Sequence, residues 1–520
     1  MDSTKTEWSN LCAALNWKWD INKNYSLGAT MAYSKYDYSI IQNSYYDSRK
    51  VETNRYTIPL EERDPSFNEY LQIEDVNHDY FSKVENYSLE ARLGVEPCST
   101  HNILVGFKAD LQRLTPKVRV KNHLSYKDYR YNEDAKIWYV YRKEVKADTI
   151  MGESQDVKQY TLYAEDDYTI SKNVKLNLGL RASLYAVRGK DYFSFEPRFS
   201  FRWQFLKHNA VKMSYSRMAQ STHRLVTNNL KSSSELWVPI TSEIPLMKSD
   251  LWALGYVYEP MPGLSASVEG YYKTMNDIVE YKQNANYSMA MRDWSQMVAV
   301  GDGRSYGVEI LLEKYSGNTT GWLSYTWSKA LRKFDEAGNQ LNGGREFYAS
   351  NDRRHNLNIV LTQKVNVRNN AFFEFTSSWT YQTGRRGTIP VAQIMGGRFA
   401  YFDGIARFPG SAGISTFYPY DETFYHPNKD KWHIYDAIRG AISTRDLNHY
   451  VLPAIHHLDL SVNFSVKHKL GESVIGLSVY NVYNRKNVNT AYVGFDKNKI
   501  VLKCHCPFPI MPSLSYTHKF

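Results

Sequence analysis

The sequence predicts an all-β protein, an antiparallel transmembrane β-barrel, on two observations. Apolar and polar residues alternate in strand-length segments, and the connections between segments alternate between tight and long. Leu89, Ala91, Leu93 and Val95 alternate with Ser88, Glu90, Arg92 and Gly94. Val174, Leu176, Leu178, Leu180, Ala182 and Leu184 alternate with Lys175, Asn177, Gly179, Arg181 and Ser183. A period of two puts each set on its own face of a strand. A barrel in lipid uses that arrangement, apolar outside and polar toward the lumen.

Segments with this period fall near 8–19, 25–38, 82–95, 102–113, 157–169, 174–187, 194–205 and 210–218. They continue near 247–258, 264–281, 303–314, 321–331, 353–365, 371–382, 455–466, 473–483 and 510–520, about seventeen in all. Asn22-Lys23-Asn24, Ser171-Lys172-Asn173, Lys207-His208-Asn209, Glu259 to Gly263, Ser316 to Gly321 and Arg368-Asn369-Asn370 are tight and rich in turn formers. The stretches 39–81, 114–156, 219–246, 282–302, 332–352, 383–454 and 484–509 are long and polar, and 39–81, 114–156 and 383–454 are rich in Tyr. The connection near 188–193 is short although it falls in a long slot. Short turns at one end and long loops at the other are the habit of outer-membrane barrels, the short end being periplasmic.

Composition narrows the classes further. The 520 residues are 42% hydrophobic and 23% charged, with a mean hydropathy of −0.54. A wet lumen dilutes the hydropathy of a barrel in this way. Tyr and Trp, 42 and 12 residues, suit membrane–water interfaces as well as sugar-binding surfaces. No run reaches the ~18 apolar residues of a spanning helix, so a membrane crossing has to be a closed sheet. Met1-Asp2-Ser3-Thr4-Lys5 opens on no apolar export signal, which leads to the expectation of a processed chain or a fragment. The net charge is +10. Lys and Arg are scattered rather than blocked, which argues against nucleic acid and suits anionic solutes or lipopolysaccharide. Cys12, Cys98, Cys504 and Cys506 are too few for a disulfide framework. Cys504-His505-Cys506 lacks the spacing and second ligand pair of a zinc site, so no metal and no cofactor is expected.

Four strings go beyond barrels in general. Glu196-Pro197-Arg198-Phe199 opens a strand with Phe201, Trp203 and Phe205 against Arg202 and Gln204. Ser305-Tyr306-Gly307-Val308-Glu309 follows Gly301 and Gly303, Asn351-Asp352-Arg353-Arg354-His355 precedes a third strand, and Asn481-Val482-Tyr483-Asn484-Arg485 ends the penultimate one. With Trp237-Val238-Pro239 and Leu251-Trp252-Ala253-Leu254-Gly255-Tyr256, and in this order, they resemble the barrel of TonB-dependent outer-membrane receptors, especially those of the Bacteroidota. Each string also has an architectural reading: a Gly makes room for an aromatic neighbour, Asp352, Arg353 and Arg354 form a solvated cluster, and Asn481 caps a strand end. The last strand, with Leu514, Tyr516, His518 and Phe520 alternating with Ser513, Ser515, Thr517 and Lys519, resembles the closing strand that the barrel-assembly machinery reads through its terminal Phe.

The resemblance implies energy-coupled uptake of a scarce solute across the outer membrane, an iron chelate, haem, cobalamin, oligosaccharide or peptide. It also implies a signal peptide, a TonB-contacting segment and a plug before the barrel, none of which the sequence displays. Residues 1–520 are therefore expected to be one domain, the C-terminal portion of a barrel of roughly twenty-two strands, incomplete and inactive alone. The first and last segments both run toward the short-turn end, so closing them directly would pair parallel strands.

The rivals are an enzyme and a passive porin or adhesin. There is no Gly-x-Ser-x-Gly elbow and no His-Glu-x-x-His helix. His456 and His457 are adjacent, so they point to opposite faces and share no metal. No catalytic residue is expected. In a porin the 383–454 connection would fold inward as a constriction lined by Arg385, Arg386, Arg398 and Arg407, and its Gly396, Gly397, Phe399, Tyr401, Phe402 and Gly404 suit a loop with sticky rings. Tyr45, Tyr46, Tyr126, Tyr129, Tyr131, Trp138 and Tyr139 are similar loop contacts. None is singled out as a ligand site.

Overall fold

The computed structural model describes residues 2–51, 69–132, 134–135, 137–226, 235–282, 294–388, 392–395, 438–442, 447–496 and 499–520. Seventeen strands follow one another around a single wall: Asp2–Asp20 (β1), Tyr25–Val51 (β2), Glu69–Cys98 (β3), His101–Asn132 (β4), Gln155–Ser171 (β5), Val174–Val187 (β6), Lys190–Leu206 (β7), Asn209–Gln220 (β8) and Met247–Met261 (β9). Leu264–Tyr281 (β10), Val298–Lys314 (β11), Thr319–Lys333 (β12), His355–Arg368 (β13), Ala371–Gln382 (β14), Ile455–His468 (β15), Gly471–Tyr480 (β16) and Met511–Lys519 (β17) complete it. Each pairs antiparallel with the next. No α-helix occurs among the described residues. Every expected segment is a strand, and 174–187, 264–281 and 371–382 have the expected bounds.

Two expected loops are not loops. Within 39–81 and 114–156 most of the described residues lie in strands, so that β2, β3 and β4 reach 27, 30 and 32 residues. A tilted strand crosses lipid in about 9–11 residues, so these hairpins rise well past it. Their Tyr, Val and Ile content favours pairing, and register is unbroken from Tyr25↔Val95 to Val51↔Glu69. The upper half of β4 then pairs with Ile137–Met151 while its lower half pairs with β5. The 484–509 connection likewise holds a hairpin, Thr490–Asp496 with Lys499–His505. It carries Cys504, which is a free thiol like the other three cysteines.

The two faces sort as the alternation requires. Outward side chains are apolar and uncovered by protein, for example Leu162 at 62%, Leu254 at 60% and Phe195 at 52% exposure; in a membrane, lipid covers them. Inward positions of β5, β6 and β7 include Thr161, Ser183 and Glu196, all buried. Among the described residues β1 bonds only to β2 and β17 only to β16, so the wall has two open edges that point the same way.

Candidate functional site

Inward residues of β4 to β7 are buried because something lies over them. That cover is the connection after β8. Its strands Thr222–Val226 and Glu235–Pro239 pair antiparallel and fold into the mouth of the barrel at its long-connection end. On one side Ile240 and Leu246 pack on the inward side chains Leu114, Val157 and Tyr185. On the other, Leu225, Leu236, Val238 and Ile244 pack on Val279 of β10, Val298 of β11 and Trp294. Burying such side chains contributes roughly 1.5–3 kcal/mol each, which is why a connection in this position leaves water.

Polar contacts fix its seat. Ser221 Oγ donates to Gln112 Oε1 at 3.1 Å, the Trp237 N–H donates to Ser82 Oγ at 3.1 Å, and Tyr192 Oη donates to the Thr241 carbonyl at 2.6 Å. Thr241 Oγ1 accepts from the N–H groups of Glu243 and Ile244 at 3.2 and 3.0 Å, closing the turn. His223 is 3% exposed, and its Nε2 lies 3.1 Å from the Pro245 carbonyl. Burial pulls its imidazole down to about 4, so it is neutral and donates to that carbonyl.

Below this cap the lumen wall is a polar ladder. Thr161 and Ser183, directly opposite on β5 and β6, bond at 3.0 Å, and Gln159 Nε2 donates to Thr161 Oγ1 at 3.2 Å. Tyr163 Oη donates to Glu90 Oε1 at 2.5 Å. Glu196 lies 3.9 Å from Arg181, and its Oε1 is buried without a hydrogen-bond partner. The wall can thus present hydroxyl, amide and both signs of charge to a solute, once the cap gives access.

A second cluster gathers where long connections meet the wall. Asp352 is buried; its Oδ1 accepts from the Ala330 N–H at 2.8 Å, and its Oδ2 meets Arg386 at 2.6 Å and Arg354 at 3.3 Å. Arg353 donates to Gln382 Oε1 at 2.7 Å. Burial lowers the pKa of Arg353 and of Arg385, and the charge of Arg385 lowers that of Arg353 further. The Asn351–His355 string is therefore a brace between connections rather than a solvated patch.

The other strings are also structural. A Cβ on Gly307 would come within 2.9 Å of the Tyr271 ring and 2.5 Å of the Trp327 carbonyl. Asn481, with φ of 52°, accepts from the Arg485 N–H at 3.0 Å and donates to the Arg485 carbonyl at 2.9 Å, closing the end of β16. Trp237-Val238-Pro239 lies in the cap itself. His456 meets Tyr483 Oη at 2.7 Å and His457 meets Asp459 at 3.1 Å; no group of three or more metal-ligating side chains occurs among the described residues.

Among the described residues the connection that folds inward is 219–246, while most of 383–454 lies outside them. Arg385 and Arg386 are held at the brace, and Arg386-Gly387 pairs with Tyr450-Val451. Arg398, Arg407, Gly396, Gly397, Phe399, Tyr401, Phe402 and Gly404 lie outside the described residues, as do the side chains of Tyr45, Tyr46, Tyr126, Tyr129, Tyr131, Trp138 and Tyr139. Polar residues dominate this connection and hide the cap in the sequence. Its signal is the spaced set Leu225, Leu236, Trp237, Val238, Ile240, Ile244 and Leu246.

An antiparallel wall with a lipid face, a polar lumen and a capped mouth defines an outer-membrane β-barrel of the transporting kind. The chain belongs to the TonB dependent receptor-like β-barrel family, whose model matches residues 2–484. This is a family of outer-membrane receptors and transporters rather than enzymes, and it places the chain in the outer membrane of Gram-negative bacteria. The chain is similar in structure to the FrpB iron transporter (F5-1 variant) of Neisseria meningitidis, with 10% identity over 99% of this chain and 73% of that one and a TM-score of 0.51. It also matches BauA, the ferric preacinetobactin receptor of Acinetobacter baumannii, at 9% identity, 99% and 79% coverage and a TM-score of 0.44. FyuA, the ferric yersiniabactin uptake receptor of Yersinia pestis, matches at 10% identity, 95% and 70% coverage and a TM-score of 0.43. No curated protein sequence matches the chain.

Proposed function

We propose that the chain is most of the wall of an energy-coupled importer that draws a scarce small solute, such as an iron chelate, through the outer membrane. The observation that carries this reading is the cap. A polar lumen roofed by a packed apolar hairpin is a gated path, and opening it requires work. Strands beyond these seventeen are proposed to close the wall, because two unpaired edges in lipid are costly. The TonB complex is the proposed source of force, and the barrel-assembly machinery the proposed reader of β17 and Phe520.

The test is growth and uptake in the host. A deletion strain is grown on candidate iron sources, cobalamin and glycans, and uptake of the solute it loses is measured with and without the inner-membrane energising complex. Loss on one source, and dependence of its uptake on that complex, is expected. Uptake that persists without the complex would instead make the cap the constriction of a passive porin.

A further inference from the structure

The lumen wall is of two kinds. On β3 to β7 it carries paired charges: Tyr163 meets Glu90, Lys108 meets Asp110 at 3.0 Å, and Arg181 faces Glu196 at 3.9 Å. On β14 to β16 its side chains are short and mostly uncharged. Thr376 and Ser378 of β14 stand opposite Ser461 and Asp459 of β15, and Ser461 stands opposite Ser478 of β16. Phe375, Leu460 and Leu477, which alternate with them along the same strands, are exposed on the lipid face. The short set therefore faces inward.

Short side chains beside a tall one leave a recess. Tyr480 ends the row, its ring 4.7 Å from that of His457. A hollow of about 240 Å³ opens among Thr376, Ser378, Asp459, Ser461, Ser478 and Tyr480. The cap packs on β4 to β6, β10 and β11, which is another sector of the wall. Among the described residues no Lys or Arg lines the hollow, and Asp459 is its one charge. Asp459 Oδ1 accepts from the Asn481 N–H at 2.8 Å and meets His457 Nδ1 at 3.1 Å. A carboxylate has about four lone-pair sites, so these contacts fix the side chain and leave acceptor capacity toward the lumen. Each hydroxyl of the recess can both donate and accept.

We propose that this recess holds one sugar ring of an uncharged oligosaccharide. Its volume is below the ~300–1,000 Å³ of pockets that enclose a whole drug-sized ligand, so it suits one ring-sized unit of a longer solute. Adjacent sugar alcohols donate to Asp459 and exchange hydrogen bonds with Ser378, Ser461 and Ser478. The Tyr480 ring offers an apolar face to the C–H side of the sugar and a polar end at its hydroxyl. An anionic solute would meet Asp459 with no cation beside it, and such like-charge contact is costly. A cationic solute would find a single carboxylate already engaged by His457 and Asn481. The proposal rests on the transport reading only for the route by which a sugar reaches the lumen.

The experiment uses the whole protein as its host makes it, extracted from the outer membrane into a zwitterionic detergent without a sugar headgroup. Maltotriose, cellotriose and mannotriose are the uncharged probes, trigalacturonic acid the anionic one and a glucosamine trimer the cationic one. Binding is measured by isothermal titration calorimetry. At least one uncharged trisaccharide is expected to bind about tenfold more tightly than either charged probe. Asp459→Asn keeps the shape and removes the charge, and is expected to weaken that binding about tenfold. Ser478→Leu fills the recess and is expected to abolish it. No binding of any uncharged probe, equal or tighter binding of a charged one, or unchanged affinity in either folded variant would overturn the proposal. If Ser478→Leu loses its heat-modifiable folded form, Asp459→Asn and the probe comparison decide alone. Calorimetry needs no energising complex, so absent binding strikes this proposal, while uptake that persists without that complex strikes the transport reading.

Discussion

Two cross-strand pairs on the inner face have the same chemistry and opposite surroundings. Thr30 of β2 stands opposite Asn16 of β1 and donates to its Oδ1 at 2.9 Å, in the open. Thr161 of β5 stands opposite Ser183 of β6 and bonds it at 3.0 Å, with both side chains at 1% exposure or less. The strand pattern is identical, but the first pair lies on the open edge strand and the second lies beside Tyr185, on which Ile240 and Leu246 of the cap pack. A lumen-facing polar residue thus has no fixed energetic value. Its value is set by what the rest of the chain places around it.

The largest break in this comparison comes from the roof. Val238 is 0% exposed and lies among Leu225, Leu236 and Ile244. Val238→Asp places a carboxylate there without a partner, which costs on the order of 3–5 kcal/mol. The hairpin is expected to leave the mouth while the wall stays folded. Hydrogen exchange of residues 221–246 should then rise sharply, and conductance in planar bilayers should increase. Unchanged exchange in the hairpin would show that it does not depend on this seat.

Acid should loosen the same roof. An imidazole at about 4 when buried and about 6.5 when released binds more protons in the released state across that interval. Stability of the seated cap therefore rises with pH between roughly 4 and 6.5, is full above 6.5 and is lost as pH falls toward 4. The linked energy is on the order of 3 kcal/mol. Exchange in 221–246 should be faster at pH 5 than at pH 7.5, and His223→Gln should flatten the difference. Equal profiles in the two proteins would remove His223 as the cause.

The contrast also marks what was legible in the sequence. Period-two alternation depends on the strand itself, so all seventeen strands could be read, down to the bounds of 174–187. The upper hairpins of β2 to β4 are not legible in the same way, because their Tyr-rich polar stretches look like loops until cross-strand partners are known. The cap needed a tertiary fact, that Leu225 and Ile240 meet β10 and β4 to β6 from inside. An apolar groove on the outer wall beside Gly270 needed register, since only pairing with Leu254 and Val308 brings Trp252, Tyr306 and Trp327 around one glycine. Single residues announced neither.

The smallest effect tests the comparison at its source. Thr161→Val removes a hydroxyl and leaves Ser183 and Gln159 short of a buried partner, which costs about 1–3 kcal/mol. Thr30→Val removes the same hydroxyl where water replaces it, so the cost falls to within about 0.5 kcal/mol. Both variants keep a β-branched side chain suited to a strand, so propensity cancels in the difference. Urea titration of the barrel in detergent, followed by tryptophan fluorescence, reads both midpoints. A clear drop for Thr161→Val beside an unmoved midpoint for Thr30→Val is expected. Repeating the pair in the Val238→Asp background sharpens the test: with the roof displaced, water reaches Ser183 and Gln159, and the two substitutions should cost the same. A difference that survived there would have to come from the strands themselves and not from the cap.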